Sequence, residues 1–229
     1  MEHFLDRKGD IAVSLTIFDL DNTLIGGDSD HLWGEYLIEL GIVEEAYYRS
    51  ENNRFYHEYK TGQLDILEFL AFSLKPLSEN SLHDLLTWRQ GFLETKIHKV
   101  MLPKAKKLID QHRKKGDTLL IITATNRFVS EKIADLLAIP HLLATEPEFK
   151  DGAYTGKVDG VPCFQDGKVK RLDDWLAAQG LSLEGSYFYS DSHNDLPLLR
   201  QVDHPVVVDA DPLLLAEAEK ANWPVMSLR

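Results

Sequence analysis

Thr16-Ile17-Phe18-Asp19-Leu20-Asp21-Asn22-Thr23-Leu24-Ile25 is the stretch that decides the fold. The apolar run Ile11 to Phe18 ends on an aspartate, and a second aspartate follows two residues later. A continuous apolar run of this kind reads as a strand buried on both faces of a parallel sheet. Asp19 and Asp21 then stand at its carboxyl end, where open α/β sheets bind ligands. Two acids that close either share a cation or differ in protonation state, and both arrangements serve phosphoryl chemistry. Alone, the stretch also reads as an acidic turn capping a helix, so the rest of the chain has to decide.

Working outward, Gly26-Gly27 breaks the chain directly after the motif and reads as a flexible joint. Asp28, Ser29 or Asp30 can cap a helix that runs to Gly41. Residues 43–60, Leu64 to Leu74 and Leu82 to Val100 are also helical by period. Pro103 opens a further helix that stops at Gly116. Beyond it the pattern alternates. Leu119 to Ile122 is a short strand ending on Thr123-Ala124-Thr125-Asn126, followed by a helix from Phe128 to Leu137 and a strand from His141 to Ala144. Three Asp-Gly pairs across residues 149–167 read as a β-hairpin excursion. A helix from Lys168 to Ala178, a strand from Ser186 to Ser190, a helix from Leu196, a strand from Pro205 to Val208 and a last helix after Asp211-Pro212 complete the chain. Strand–helix–strand units imply parallel strands with right-handed crossovers. The expectation is an α/β fold: a Rossmann-like parallel sheet flanked by helices, with a small β-hairpin excursion. Its core is residues 1–26 plus 101–229, and residues 27–100 form an inserted helical cap.

The chain has 229 residues, 44% of them hydrophobic, and its formal charge of −12 leaves no basic surface for nucleic acid or anionic membrane. No apolar run approaches the about 18 residues that a membrane helix needs. Met1 to Asp10 is charged and lacks the apolar core of a signal peptide. The single cysteine, Cys163, excludes an internal disulfide framework. Together these readings place the protein in the cytoplasm.

Three strand ends carry related chemistry: Asp19 and Asp21, then Thr123, then Asp191 with Asn194 and Asp195. Lys168 opens the helix before the last of them. In a parallel sheet these tips lie on one edge. Carboxylates, a hydroxyl and a lysine converging there suit a phosphate group beside Mg²⁺, a hard ion that takes oxygen ligands and keeps several waters. Asp19 and Asp191 can each supply one oxygen, while Lys168 and the Thr123 hydroxyl can hold the phosphate charge.

In these motifs the sequence resembles the haloacid dehalogenase superfamily of phosphohydrolases. Asp19-Leu20-Asp21-Asn22-Thr23, the strand ending on Thr123, Lys168, and Asp191-Ser192-His193-Asn194-Asp195 stand in the family's order. The helical insertion looks like the cap of the phosphoserine-phosphatase branch, near a bacterial histidinol-phosphatase-like group. The resemblance implies Asp19 as nucleophile, forming an aspartyl-phosphate, and Asp21 as general acid and then base. It implies Mg²⁺ held by Asp19, the Asp21 carbonyl and Asp191. Thr123 and Lys168 would steady the phosphoryl oxygens, with Ala124, Asn194 and Asp195 as phosphate or outer contacts. Asp28 lies where that branch places an acid facing the substrate. Its carboxylate-clamping arginine is replaced here: an ungapped reading from Gly62 reaches Ser73, with Lys75 nearby. Arg54 and Asn126 are the remaining candidates for substrate contact. An acidic cap residue without a clamp suits an amino-alcohol phosphate, and L-histidinol phosphate has that form. The cap aromatics Trp33, Tyr36, Tyr47, Tyr48, Phe55, Tyr56 and Tyr59 offer surfaces on which an imidazole or a cation can stack. The expected partner is thus a small phosphorylated metabolite. Phosphoserine hydrolysis, a phosphotransferase and a non-catalytic phospho-acceptor module stand as alternatives.

Overall fold

The computed structural model describes residues 14–229. Residues 11–13 of the expected first strand lie outside the described residues, so β1 is Leu15–Phe18. The other strands are β2 (Thr118–Asn126), β3 (His141–Lys150), β4 (Ala153–Asp159), β5 (Tyr187–Ser190), β6 (His204–Val208) and β7 (Val225–Met226). They form one sheet in the order β4-β3-β2-β1-β5-β6-β7. All neighbours are parallel except β3 and β4.

β1 lies between β2 and β5, and its side chains alternate between two cores. Leu15 and Ile17 join Leu120, Ile122, Phe188 and Val207 on one face. Phe18 joins Leu119, Ile121, Tyr189 and Val208 on the other. Period-2 alternation with both faces apolar is what a strand covered on both sides requires. The register sets the site: Phe18 pairs with Ile121 of β2 and Tyr189 of β5. The residues that follow, Asp19, Ile122-Thr123 and Ser190-Asp191, therefore stand level with one another at the carboxyl end of β1.

Between β1 and β2 run α1 (Ser29–Glu39), α2 (Glu45–Thr61), α3 (Ile66–Ser73), α4 (Lys75–Glu79), α5 (Leu82–Phe92), α6 (His98–Val100) and α7 (Pro103–Lys115). A π-helical turn, Leu93–Ile97, joins α5 to α6. Sequence signals set the ends: Asp28 caps α1, and Gly116 in the left-handed conformation stops α7. Trp33, Leu37, Leu74 and Phe92 of the insertion share a core with the sheet. The chain enters and leaves the insertion at adjacent points. Ile25 bridges Met101 in antiparallel fashion, and Gly26 N donates to Val100 O at 2.7 Å.

After β2 come α8 (Arg127–Leu136), α9 (Asp166–Gln179), the short α10 (Leu196–Leu199) and α11 (Pro212–Ala221). The hairpin differs from the expectation. β3 is not a short strand followed by a separate excursion; it runs on past Ala144 and pairs antiparallel with β4. Only Asp151-Gly152, with positive φ at both residues, makes the hairpin turn. Asp166-Gly167 instead starts α9. β7 has only two residues, too few to show a period in the sequence.

Candidate active site

The strand tips bring Asp19, Asp21, Thr123, Lys168, Asp191 and Asp195 together. Lys168 Nζ lies 2.8 Å from Asp19 Oδ1 and 2.7 Å from Asp195 Oδ1. The Ser190 hydroxyl donates to Asp195 Oδ2 at 2.7 Å, which fixes the carboxylate that fixes the lysine. Lys168 arrives there because the chain before α9 is tightly folded. Gly167 N donates to Phe164 O at 2.8 Å, and a Cβ at Gly167 would lie 2.0 Å from Pro162 O. A side chain at 167 would push α9 and Lys168 away. Lys168 is 2% exposed, and its ammonium is held above its ordinary pKa: burial pushes it down, and Asp19 and Asp195 outweigh that.

Asp19 is buried and its carboxyl is raised to about 7, first by burial and then by Asp195 and Asp21, against the pull of Lys168. Asp191 is pushed well up by burial and by Asp19. The Thr23 hydroxyl lies 3.3 Å from Asp19 Oδ2 and 3.2 Å from Asp191 Oδ1, and its one proton can serve either. Asp19 has the Lys168 ammonium on its other oxygen, whereas Asp191, half-buried, shares only this hydroxyl with it. The Asp19 and Asp191 oxygens that meet at Thr23 are hard donors of the type a divalent cation such as Mg²⁺ takes.

Asp21 is held from both sides. Its Oδ1 accepts from Ser29 N at 2.7 Å and Ser29 Oγ at 2.5 Å. Its Oδ2 accepts from Thr125 Oγ1 at 2.8 Å and Thr123 Oγ1 at 3.2 Å. Burial, then Asp28, raises it to about 6 against those bonds. Such a carboxyl can give and take a proton near neutral pH.

Next to these tips is a narrow cleft, lined by Asp19, Asp21, Thr123 and Ala124 from the sheet and by residues of the insertion. Asp28 and Asp30 stand in it, both pushed up by burial, Asp30 also by Asp28 and Asp21. One face of α2 forms a wall: Asn52, Phe55, Tyr56 and Tyr59, spaced i, i+3, i+4, i+7. His31 faces Tyr56 with ring centroids 4.8 Å apart, and its Nδ1 is buried without a hydrogen-bond partner. Burial lowers the His31 pKa, keeping the ring neutral. No lysine or arginine is among the described residues lining the cleft. Lys60 lies over the Tyr56 ring but is not one of the cleft's lining residues.

Some expected site residues are placed elsewhere. Arg54 does not line the cleft. It bonds Glu51, Glu58 and Glu68 in a separate groove on the insertion, because three acids on α2 and α3 outcompete the site for it. Asn126 is buried, caps α8 and donates to Asp30 Oδ1 at 3.0 Å; it holds a cleft residue rather than lining the cleft. Asn194 is also committed: Gln165 Nε2 donates to its Oδ1, and its Nδ2 donates to Tyr59 O at 3.1 Å and Ser192 Oγ at 3.2 Å. Of the aromatics, Phe55, Tyr56 and Tyr59 reach the cleft. Trp33 and Tyr36 pack on Phe92, Tyr48 packs on Phe72, and Tyr47 is 60% exposed. In the sequence Ser29 and Asp30 read only as helix-cap candidates and Thr125 only as part of a strand end, and neither they nor His31 read as site residues. The spacing 52, 55, 56, 59 was the legible signal for the α2 wall.

No helix among the described residues is long and apolar enough to cross a membrane. The family model of haloacid dehalogenase-like hydrolases matches residues 16–200. The histidinol-phosphatase of Neisseria meningitidis serogroup C is 42% identical over 220 residues, 94% of this chain and 99% of that protein. A solved structure of a protein of unknown function from Bordetella pertussis Tohama I is 38% identical with a TM-score of 0.89, covering 95% of this chain and 99% of its own. A substrate-bound phosphoserine phosphatase complex shares the fold at a TM-score of 0.70 and 20% identity, covering 93% and 92%. The chain belongs to the haloacid dehalogenase-like hydrolase family.

Proposed function

We propose that this hydrolase removes phosphate from a small amino-alcohol monoester, with L-histidinol phosphate the best fit, through an aspartyl-phosphate on Asp19. The observation that carries the reading is the lining of the cleft. Asp28 and Asp30 stand in a lining that includes no lysine or arginine among the described residues, aromatic rings flank them, Arg54 is bonded to glutamates, and Lys60, over the Tyr56 ring at the cleft's edge, only partly offsets Asp28. A substrate carboxylate would meet carboxylates there, which is repulsive; an ammonium would relieve them. A ligand imidazole can stack on Phe55 or Tyr56 and reach the unpartnered His31 Nδ1. The relative from Neisseria, matched over nearly its whole length, supports the same choice.

Asp19, Asp191 and the Asp21 carbonyl would hold Mg²⁺. When bound, the ion supplies counter-charge to the phosphate oxygens and to the two carboxylates. A carboxylate oxygen of Asp19 attacks phosphorus, and the bond to the alkoxide breaks. Asp21, raised to about 6, gives its proton to that alkoxide. It then takes a proton from the water that attacks the aspartyl-phosphate, releasing inorganic phosphate. Lys168 and the Thr123 hydroxyl hold oxygens of the transferred group. Residues 27–100 act as the cap over this site, with Gly26-Gly27 and Met101 as the paired crossings on which it turns.

The test is a panel of L-histidinol phosphate, ethanolamine phosphate, phosphoserine and glycerol phosphate, assayed with Mg²⁺. The expected order of kcat/KM puts L-histidinol phosphate first and phosphoserine at least about tenfold below it, the range for leaving a buried charge unpaired. Phosphoserine in first place would overturn the substrate assignment.

A further inference from the structure

The C-terminal end of α2 sits directly on the Asp191–Asp195 loop. Gly62, the left-handed residue that ends α2, faces the His193 ring so closely that a Cβ there would lie 2.7 Å from Nε2. His193 is fixed from behind: its main-chain N–H donates to Asp211 Oδ2 at 2.7 Å, and its Nδ1 lies 2.8 Å from the same oxygen. The other Asp211 oxygen caps α11 through Leu213 N and Leu214 N. The ring is therefore a rigid stop, and its buried Nε2 has no hydrogen-bond partner. Three residues before Gly62, the Tyr59 carbonyl accepts from Asn194 Nδ2. The Tyr59 ring lies 6.1 Å from Phe164, just ahead of α9 and Lys168. Its side chain enters the cleft wall shared by Asp19, Asp21 and Thr123. There it stands beside Ser192, and burial together with Asp19, Asp191 and Asp195 keeps the phenol protonated.

We propose that Tyr59 is a positioning residue for phosphoryl transfer, set at the strand tips only when Gly62 seats against His193. The inference rests on the reading of the cleft as the phosphoryl-transfer site. Such a contact uses a glycine for two reasons at once. The left-handed φ of +71° ends the helix, and the missing side chain lets two backbones close on an imidazole. Seating brings a neutral phenol up to carboxylates whose neutral partners otherwise are hydroxyls of the core and Ser29 N, and it covers the loop that carries Asp191. Opening the insertion withdraws Tyr59 and releases Asn194, so the completed site and the closed insertion are one state.

The experiment is steady-state hydrolysis of p-nitrophenyl phosphate with Mg²⁺ by Tyr59→Phe, Gly62→Ala, His193→Ala and the Gly62→Ala/His193→Ala pair. Tyr59→Phe keeps the ring and removes the hydroxyl; kcat is expected to fall about tenfold with KM within about threefold, the split of a group that acts after binding. Gly62→Ala is expected to lower kcat/KM about tenfold, and adding His193→Ala to recover at least about threefold, since residues in contact couple. Left-handed strain at an alanine would remain in both variants, so recovery reports the clash alone. Wild-type kcat in Tyr59→Phe, or losses in the pair that simply multiply, would overturn the inference. Asp19→Asn separates the two levels. Turnover surviving in that variant sinks the site reading itself, whereas its loss beside unaffected Tyr59 and Gly62 variants sinks only the seating.

Discussion

Two buried polar clusters sit on the same strands and are built on opposite principles. Under α7, His112 Nδ1 lies 2.7 Å from Asp117 Oδ2, and His112 Nε2 lies 2.8 Å from the Tyr189 hydroxyl. Ser14 Oγ donates to Asp117 Oδ1 at 2.8 Å, and Thr16 Oγ1 lies 3.0 Å from His112 Nδ1. Every polar atom of that histidine and aspartate has a partner. At the strand tips Lys168 pairs with Asp19 and Asp195, while Asp21, Asp28, Asp30 and Asp191 stand nearby without an ion pair of their own among the described residues, and burial pushes the carboxyls of Asp19, Asp21, Asp28, Asp30 and Asp191 up. A satisfied network stabilises the fold, whereas an under-compensated one costs stability and waits for a ligand.

The clusters also respond to pH with opposite sign. Burial lowers His112, so the folded state prefers it neutral, and its contribution is lost as pH falls below the ordinary 6.5. Burial pushes Asp117 up, but bonds from His112 and Ser14 outweigh it and leave it lowered. Its contribution is lost at still lower pH, as pH falls through and below the ordinary 3.8. Asp19 and Asp21 are raised from 3.8 to about 7 and about 6. Their folded forms bind protons more tightly than the unfolded chain, so without metal they cost stability as pH rises through that window.

Lys168→Met strikes hardest at this contrast, because it removes the cation that pairs with Asp19 and Asp195. The buried pair becomes lone carboxylates, expected to cost about 3 kcal/mol or more, and turnover should drop by about a thousandfold. Denaturant melts and phosphate release measure both. A variant as stable as the parent would mean that the carboxylates are not under-compensated, and the contrast would fail.

His112→Gln probes the other cluster. It leaves Asp117 and the Tyr189 hydroxyl short of partners, for an expected loss of about 2 kcal/mol, with kcat within about twofold. The difference in stability between parent and variant should shrink as pH falls below 6.5. A difference independent of pH would mean that His112 does not titrate with folding.

How far the sequence discloses each region follows from how each is built. The tips are legible because strand register alone brings Asp19, Thr123 and Asp191 level, and register is local in sequence pattern. Lys168 is legible as the residue after Asp166-Gly167, though the close approach of Gly167 to Pro162 is visible only in three dimensions. The insertion is less legible. Its helices show period and caps, but which face of α2 meets the cleft depends on how the helices pack. Arg54 and Tyr59 are both on α2, and sequence favoured the arginine for its charge. The structure puts the tyrosine in the cleft and leaves the arginine to three glutamates. The network under α7 gave no motif at all, since its members come from β1, α7, β5 and the turn before β2.

Arg54→Ala is the mildest change and sharpens the boundary of the site. The guanidinium lies 4.0 Å over the Phe55 ring and pairs with Glu51, Glu58 and Glu68 while its side chain is 35% exposed. Solvent screens such pairs, so the expected stability loss is about 0.5–1 kcal/mol, part of it lost packing on Phe55. Phe55 keeps its other contacts with Phe69 and Phe72, so the wall of the cleft should hold its shape. Hydrolysis of L-histidinol phosphate and of p-nitrophenyl phosphate should both stay within about twofold of the parent. A selective rise in KM for the amino-alcohol ester would show that Arg54 reaches substrate after all. The three glutamates would then be its resting place, and the cleft lining would no longer lack an arginine.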